Sequence, residues 1–317
     1  MLEDRDLMAV ALTSRAVESA VKPLAPREFW AITQVLDPAE LRGMTSAQLT
    51  ATLGISKDKA DRIARLADRA VGIAIAIERF EHAGVWTVTG VGAHYPERLR
   101  TRLGDSAPVV LCGVGDVGLL DIDGLGVVGS RNVTEEGTRV AHGVAQAAVH
   151  AGLPLISGAA RGVDQAAMNA AASADGKVVG IVADALDKIA ARPSTRRGVL
   201  RGQFCLVTPY SPDAPFSVGN AMGRNKIIYA LSRCTVVVAS EIRSGGTWSG
   251  ATEALKNDYG QVLSWTGPGG GPGNAELLAL GARELNDIAV LGKSITEQPV
   301  SAAKNRPGVG DQLTIGI

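Results

Sequence analysis

Aromatic side chains are scarce. Four Phe, four Trp and four Tyr make up 4% of the 317 residues, while 46% of the chain is hydrophobic. There is ample material for a buried core, and that core has to be mostly aliphatic. Net charge is absent as well, with 32 Lys and Arg against 32 Asp and Glu. The chain as a whole is therefore no electrostatic magnet for a polyanion, and any anion site has to be local. There are three cysteines, Cys112, Cys205 and Cys234, too scattered for a disulfide framework; they read as buried thiols in a reducing compartment. The four histidines, His82, His94, His142 and His150, show no ligand spacing with cysteine or carboxylate, so no metal is expected. No apolar run is long and uncharged enough to span a bilayer, and an N-terminus carrying Glu3, Asp4, Arg5 and Asp6 does not read as a signal peptide. These absences together point to a soluble, cytoplasmic protein without a cofactor, with room for about two domains.

The most informative stretch runs from Leu125 to Asp164. Two short apolar runs, Leu125–Val128 and Leu153–Ile156, each end in a small-residue turn that opens a helix. This is strand–turn–helix grammar written twice, the signature of a parallel α/β sheet. Each turn carries what a phosphate needs: glycine for close backbone approach, a helix N-terminus, and an arginine, Arg131 or Arg161. Thr134 followed by Glu135 and Glu136 is a good helix start. The letters Gly124-Leu125-Gly126-Val127-Val128-Gly129 also match G-x-G-x-x-G. A dinucleotide fingerprint, however, needs its glycines between strand and helix and an acid at the end of the next strand. Here Val127 and Val128 read as the strand itself, and the next strand ends in Ser157-Gly158, so no dinucleotide site is expected.

Residues 1–90 read as a small helical domain, with Leu7, Val10, Ala11 and Val17 on one amphipathic face and Phe29, Trp30, Ile32, Val35 and Leu36 on another. The turn Leu53-Gly54-Ile55-Ser56, with Ser56 as N-cap, suggests a sterile-alpha-motif-like or helix-hairpin-helix-like bundle. Arg62, Arg65 and Arg69 recur at helical spacing; they form either a DNA contact or a solvated face neutralised by Asp58, Asp61 and Asp68. A connector near Trp86–Thr89 leads to candidate strands Val109–Gly113, Val178–Ala183, Phe204–Thr208, Thr235–Ser240 and Gln261–Trp265. The alternation predicts a doubly wound, Rossmann-like, mostly parallel sheet over residues 91–295. Two further turns are expected at the strand ends: Gly223-Arg224-Asn225-Lys226 ahead of a helix, and Ser244-Gly245-Gly246-Thr247 opening another. Asn274–Leu285 reads as one helix, and residues 296–317 as a flexible tail.

The marks Tyr95-Pro96-x-x-Leu99, Val128-Gly129-Ser130-Arg131, Ser157-Gly158-x-Ala160-x-Gly162-Val163-Asp164, Arg224-Asn225-Lys226-Ile227-Ile228, Ser244-Gly245 and Gly273-Asn274 stand in an order and spacing that resembles the DNA-processing protein A family, DprA, also called Smf. The resemblance covers about residues 28–290. It implies an extended Rossmann-fold domain that binds single-stranded DNA, dimerises and helps to load a RecA-type recombinase in DNA uptake and recombination, without being an enzyme. The chain departs from the family pattern at Met168, where histidine is usual, at Ala190-Ala191 (Tyr-Pro), at Thr208-Pro209 (Ser-Glu), at Ala221-Met222 (Phe-Pro) and at Ala239 (glutamate). No winged-helix segment is recognised after the sheet.

The DNA- or phosphate-binding residues expected on these grounds are Gly129, Ser130, Arg131, Ser157, Gly158, Gly162, Arg224, Asn225, Lys226, Ser244 and Gly245, converging in one pocket. Ser157 is expected to donate its hydroxyl to a phosphate. With aromatics scarce, backbone contacts should dominate. The alternative is a small-nucleotide-binding or nucleotide-processing protein related to the LOG-type phosphoribohydrolases, with a role such as phage defence. Ser244-Gly245-Gly246-Thr247 followed by Glu253 loosely resembles their Pro-Gly-Gly-x-Gly-Thr-x-x-Glu turn, and Asp164 or Glu253 would then be the acid.

Overall fold

A computed structural model of the chain describes residues 2–291. The expected tail at 296–317 lies outside the described residues. The N-terminal part is helical: α1 (Asp4–Thr13), α2 (Pro26–Thr33), α3 (Ser46–Leu53), α4 (Lys57–Ala67) and α5 (Ala70–His82). Local chemistry sets these boundaries. Pro26 opens α2, where its missing N–H is not needed. Thr45 and Gln48 form a capping box at the start of α3, and Gly54, at φ 63°, ends it in the left-handed conformation. Ser56 occupies the N-cap position of α4, but its hydroxyl makes no cap bond. Arg62 and Arg69 are taken up internally. Arg62 pairs with Glu28 at 2.7 Å and donates to the carbonyls of Lys22 and Pro23, and Arg69 donates to the Ser14 carbonyl. Two of the three arginines on this face are therefore structural staples.

The remainder alternates strand and helix: β1 (Trp86–Thr89), α6 (Glu97–Leu103), β2 (Val110–Gly115), β3 (Gly124–Val128), α7 (Glu135–His150), β4 (Leu155–Ser157), α8 (Val163–Ser173), β5 (Val178–Ile181), α9 (Leu186–Ala190), α10 (Pro193–Leu200), β6 (Phe204–Thr208), α11 (Val218–Leu231), β7 (Ser232–Val237), α12 (Gly245–Asn257), β8 (Gln261–Trp265), α13 (Asn274–Ala279) and β9 (Arg283–Leu285). The nine strands form one sheet in the order β1-β2-β6-β5-β4-β3-β7-β8-β9. Pairing is parallel from β6 through to β9; β1 and β2 add antiparallel strands at one edge. The mostly parallel, doubly wound architecture read from the sequence is therefore the observed one. Gly124–Val128 is strand throughout, so the G-x-G-x-x-G match is not a phosphate loop.

Three differences from the sequence reading have physical causes. Trp86–Thr89 is an edge strand, not a connector, and pairs antiparallel with Val110–Gly113 across the intervening chain that holds α6. Asn274–Leu285 is not one helix: Gly281, at φ 105°, breaks it and returns the chain as β9 beside β8. Gly223–Lys226 is not a turn but part of α11, which starts at the N-cap Ser217.

The strands alternate their burial between two aliphatic layers. Val128, Ile156, Val179 and Val237 face α11, α12 and the N-terminal helices; Leu125, Leu155, Val178 and Val236 face α7 and α8. Phe29, Leu49 and Leu66 of the helical part belong to the same cluster as Ile227 and Leu231 of α11. The helices are tied to the sheet by polar contacts too: Trp30 Nε1 donates to the Ala107 carbonyl at 2.9 Å, and the buried Asp6 accepts the hydroxyl of Thr89. All three cysteines are free and buried, and burial pushes the thiols of Cys112 and Cys234 up to about 11. Among the described residues no helix is long and apolar enough to cross a membrane, and no three His, Cys, Asp or Glu side chains group as metal ligands.

Candidate nucleic-acid interface

The strand order reverses at β3. The chain proceeds from there to β4, β5 and β6 on one side, and returns to β7, β8 and β9 on the other. In open parallel sheets this reversal leaves a crevice outside the carboxyl ends of the two central strands, because their following segments turn to opposite faces. Here β3 and β7 are those strands, and a crevice of about 340 Å³ lies beyond their ends. Val128–Arg131 forms one wall, Ser244–Thr247 at the start of α12 a second, and α11 a third through Ala221, Arg224 and Asn225.

Seven of the eleven expected site residues line this crevice: Gly129, Ser130, Arg131, Arg224, Asn225, Ser244 and Gly245. Arg131 is exposed, pairs with no carboxylate among the described residues, and lies with its guanidinium carbon 5.7 Å from the ring centre of Phe216. Ser130 is held by its backbone, which donates to the Ala239 carbonyl and accepts from Val163 N–H. At α12, the N-cap Ser244 makes no side-chain cap bond and Gly245 sits at φ 79°. The first turn of that helix keeps the unpaired N–H groups that every helix leaves at its start. Asn225 Nδ2 donates to the Gly246 carbonyl at 3.0 Å and fixes α12 against α11.

The other four residues do different work. Ser157 is fully buried and donates its hydroxyl to the Val127 carbonyl at 2.7 Å, so it ties β4 to β3 instead of reaching a ligand. Gly158 is a packing position: a Cβ there would overlap the Arg224 guanidinium. Gly162, at φ 81°, lets the backbone pass the Ser130 and Arg131 carbonyls, which a Cβ would strike. Lys226 points away. Its ammonium donates to the Ser106 carbonyl at 2.7 Å and lines a separate cleft of about 870 Å³ between the N-terminal helices and the sheet. The single pocket with cations Arg131, Arg224 and Lys226 is thus corrected. Residues 224 and 226 are two apart on a helix, roughly 200° around its axis, and cannot face the same way.

Arg224 itself is 5% exposed, and its Nη2 is committed to the Gly158 carbonyl at 2.6 Å. The N–H of the same Gly158 donates to Asp164 at 3.1 Å, with Ala160 N–H at 3.5 Å. The amide cradle after β4 is therefore filled by the chain's own carboxylate. Burial pushes Asp164 up to about 6, opposed by Arg224 and by the backbone N–H groups of Ala160, Gly158 and Gly129. Burial in turn lowers Arg224, with Asp164 opposing. Glu253, the other acid of the nucleotide-processing alternative, does not line the crevice; it accepts from Tyr259 at 3.4 Å.

Four contributors were not singled out as site residues. Phe216, which lines the larger cleft and meets the crevice through Arg131, lies in a loop where no periodicity marks it. Tyr229 is 1% exposed and lies among the lining residues, and its buried hydroxyl has no hydrogen-bond partner among the described residues. Glu241 sets an exposed carboxylate among the lining residues. Asn274, quoted above as a family mark, binds the carbonyls of Val237, Val238 and Trp265 and the N–H of Ser240, and so clasps the end of β7 to β8. Of the departures from the family pattern, Ala221-Met222 falls in the crevice lining itself.

The chain is similar to several known proteins. Smf of Escherichia coli is 32% identical over 152 residues, covering 47% of this chain and 40% of that protein. DprA of Streptococcus pneumoniae is 30% identical over 140 residues, covering 44% and 49%. Smf of Synechocystis is 30% identical over 127 residues, 39% of this chain and 31% of that protein. These alignments span a third to a half of the relatives' own lengths. Among solved structures, DNA processing protein A of Streptococcus pneumoniae superposes with a TM-score of 0.70 at 20% identity, covering 93% of this chain and 97% of the other. That from Helicobacter pylori, solved to show its single-stranded DNA binding mode, gives 0.54 at 22% identity, covering 67% and 95%. The family model for DNA recombination-mediator protein A matches residues 86–297, which hold the whole sheet and the crevice, and the chain belongs to that family.

Proposed function

We propose that this chain binds single-stranded DNA through the crevice beyond β3 and β7 and acts as a recombination mediator, as a binding protein and not an enzyme. The observation that carries this reading is Arg131: an exposed guanidinium with no ion-pair partner among the described residues, beside a glycine-rich helix start at the switch point of the sheet. Its fork suits a phosphate, and the uncapped N–H groups of α12 lie on the opposite wall. Phe216, 47% exposed beside Arg131, offers a face for one base. The named relative from Helicobacter pylori is described by its single-stranded DNA binding, which supports the same ligand class here. A homodimer that hands its strand to a RecA-type recombinase in the cytoplasm completes the proposal.

The nucleotide-processing alternative is weaker on geometry, because Asp164 is occupied with backbone N–H groups and Glu253 lies outside the crevice. A binding assay with a single-stranded oligonucleotide, the matching duplex and a panel of mononucleotides tests the choice. Preference for the single strand supports the proposal. Binding or cleavage of a mononucleotide with no affinity for single strands refutes it.

A further inference from the structure

We infer that the solvent face of α9 and α10 is a second contact for the sugar-phosphate backbone, taking up the same strand after it leaves the crevice past Phe216. The inference rests on the single-stranded DNA reading above. Lys188, Arg192, Arg196, Arg197 and Arg201 lie within sixteen residues, 186–201, that hold one carboxylate, Asp187; the local balance is five minus one, or +4, in a chain whose net charge is zero. All five cations are exposed, and none forms an ion pair among the described residues.

The helix geometry spreads these charges outward. α10 buries Thr195 and Gly198, the latter against the ring of Phe204. At 100° per residue the opposite arc carries Arg192, Arg196, Arg197 and Arg201 around Leu200, which is 86% exposed. Arg197 and Arg201, the C-cap, are a like-charge pair four residues apart, an arrangement that weakens a helix by itself and that a bound polyanion relieves, and Arg192 adds a further cation at the N-cap. Guanidinium groups suit phosphate oxygens through their fork geometry.

The position continues the crevice. Arg131 lies over Phe216, and Phe216 N–H donates to Asp184 Oδ1 at 3.1 Å, two residues before α9 begins. Asp187 N–H donates to the Pro212 carbonyl at 3.2 Å, so the start of α9 is fastened to the loop that carries Phe216. The carboxylates on this route are partly occupied: Asp184 also accepts Ala185 N–H, Asp187 accepts Lys188 N–H, and Asp213 accepts the hydroxyl of Ser211. From α9, α10 extends the cationic face by about 12 Å.

The test uses the full chain, with oligothymidylates of about 6 and about 30 nucleotides as probes across a salt series. Replacing Arg196 and Arg197 together with Ala should lower the log–log salt slope for the long strand by about 1.4, at 0.7 per phosphate, and weaken its binding about 25-fold at 0.1 M salt. The short strand, held in the crevice, should be unaffected. The double Lys variant should keep most of the slope, and the double Glu variant should lose more than the Ala variant, which separates charge from any change in folding. Equal affinity of wild type and Ala variant for the long strand overturns the inference, as does an equal loss for both lengths. Arg131→Ala serves as the reference. If it weakens both lengths while the patch variant weakens neither, the crevice reading stands and this inference alone fails.

Discussion

Gly158 joins a buried carboxyl to a buried guanidinium, its N–H on Asp164 and its carbonyl on Arg224. Replacing Arg224 should therefore cost more stability at high pH than at low pH. In the wild type, burial raises Asp164 from 3.8 to about 6 against the pull of Arg224 and three backbone N–H groups. Between those two values the folded chain keeps a proton that the unfolded chain has released. Stability thus falls as pH rises through the window and levels off above it. A rise of about two pKa units corresponds to roughly 3 kcal/mol. Arg224→Met removes the charge that holds Asp164 down, so its carboxyl rises further and the decline continues past pH 6. At pH 5 Asp164 is largely protonated in both proteins, and the variant lacks mainly its charged bond to Gly158, a deficit of about 1.5–3 kcal/mol. At pH 8 the deficit should grow by about 1.4 kcal/mol for each further unit that Asp164 gains. Urea unfolding of both proteins at pH 5 and pH 8 measures this. An equal deficit at the two pH values refutes the coupling. Adding Asp164→Asn to the variant should remove the excess at pH 8.

Further outcomes follow from individual contacts. Ser157→Ala should lose about 1–3 kcal/mol, because the Val127 carbonyl stays buried without its donor, while DNA affinity stays unchanged in a titration below the unfolding temperature. Asn274→Ala removes four buried hydrogen bonds at the end of β7 and should lower stability by about 3 kcal/mol or more, seen as a lower Tm. Lys226→Met should leave single-strand binding unchanged, since its ammonium serves Ser106 in the other cleft; a loss of affinity equal to that of Arg131→Ala would return Lys226 to the binding site.

The fold was legible because its signals are local and repeated. Two apolar runs of strand length, β3 and β4, end in Gly-Ser-Arg and Ser-Gly, and each marks a strand followed by a turn. β1 and β9 were not legible for opposite reasons. Trp86–Thr89 is a four-residue edge separated from its partner β2 by α6, and Arg283–Leu285 is too short to show any period. At the site, motif positions converged where they follow β3, as Gly129, Ser130 and Arg131 do, or open α12, as Ser244 and Gly245 do. Motifs could not say which way a helical side chain turns. Arg224 and Lys226 looked like one basic cluster until α11 put them on different sides, one facing the crevice and the other the cleft at the N-terminal helices. Nor could sequence show that Asp164 would take the amide groups left free after β4, since that depends on the loop closing back on its own helix start.

Arg131 is the most direct point of contact between crevice and strand in this proposal, and a salt titration of single-strand binding in wild type and Arg131→Ala measures its part. One lost phosphate contact should lower the slope of log K against log salt by about 0.7 and weaken binding about 5-fold at 0.1 M salt, alike for every base sequence. Unchanged slope and affinity in Arg131→Ala would contradict the assignment of the crevice beyond β3 and β7 as the DNA site.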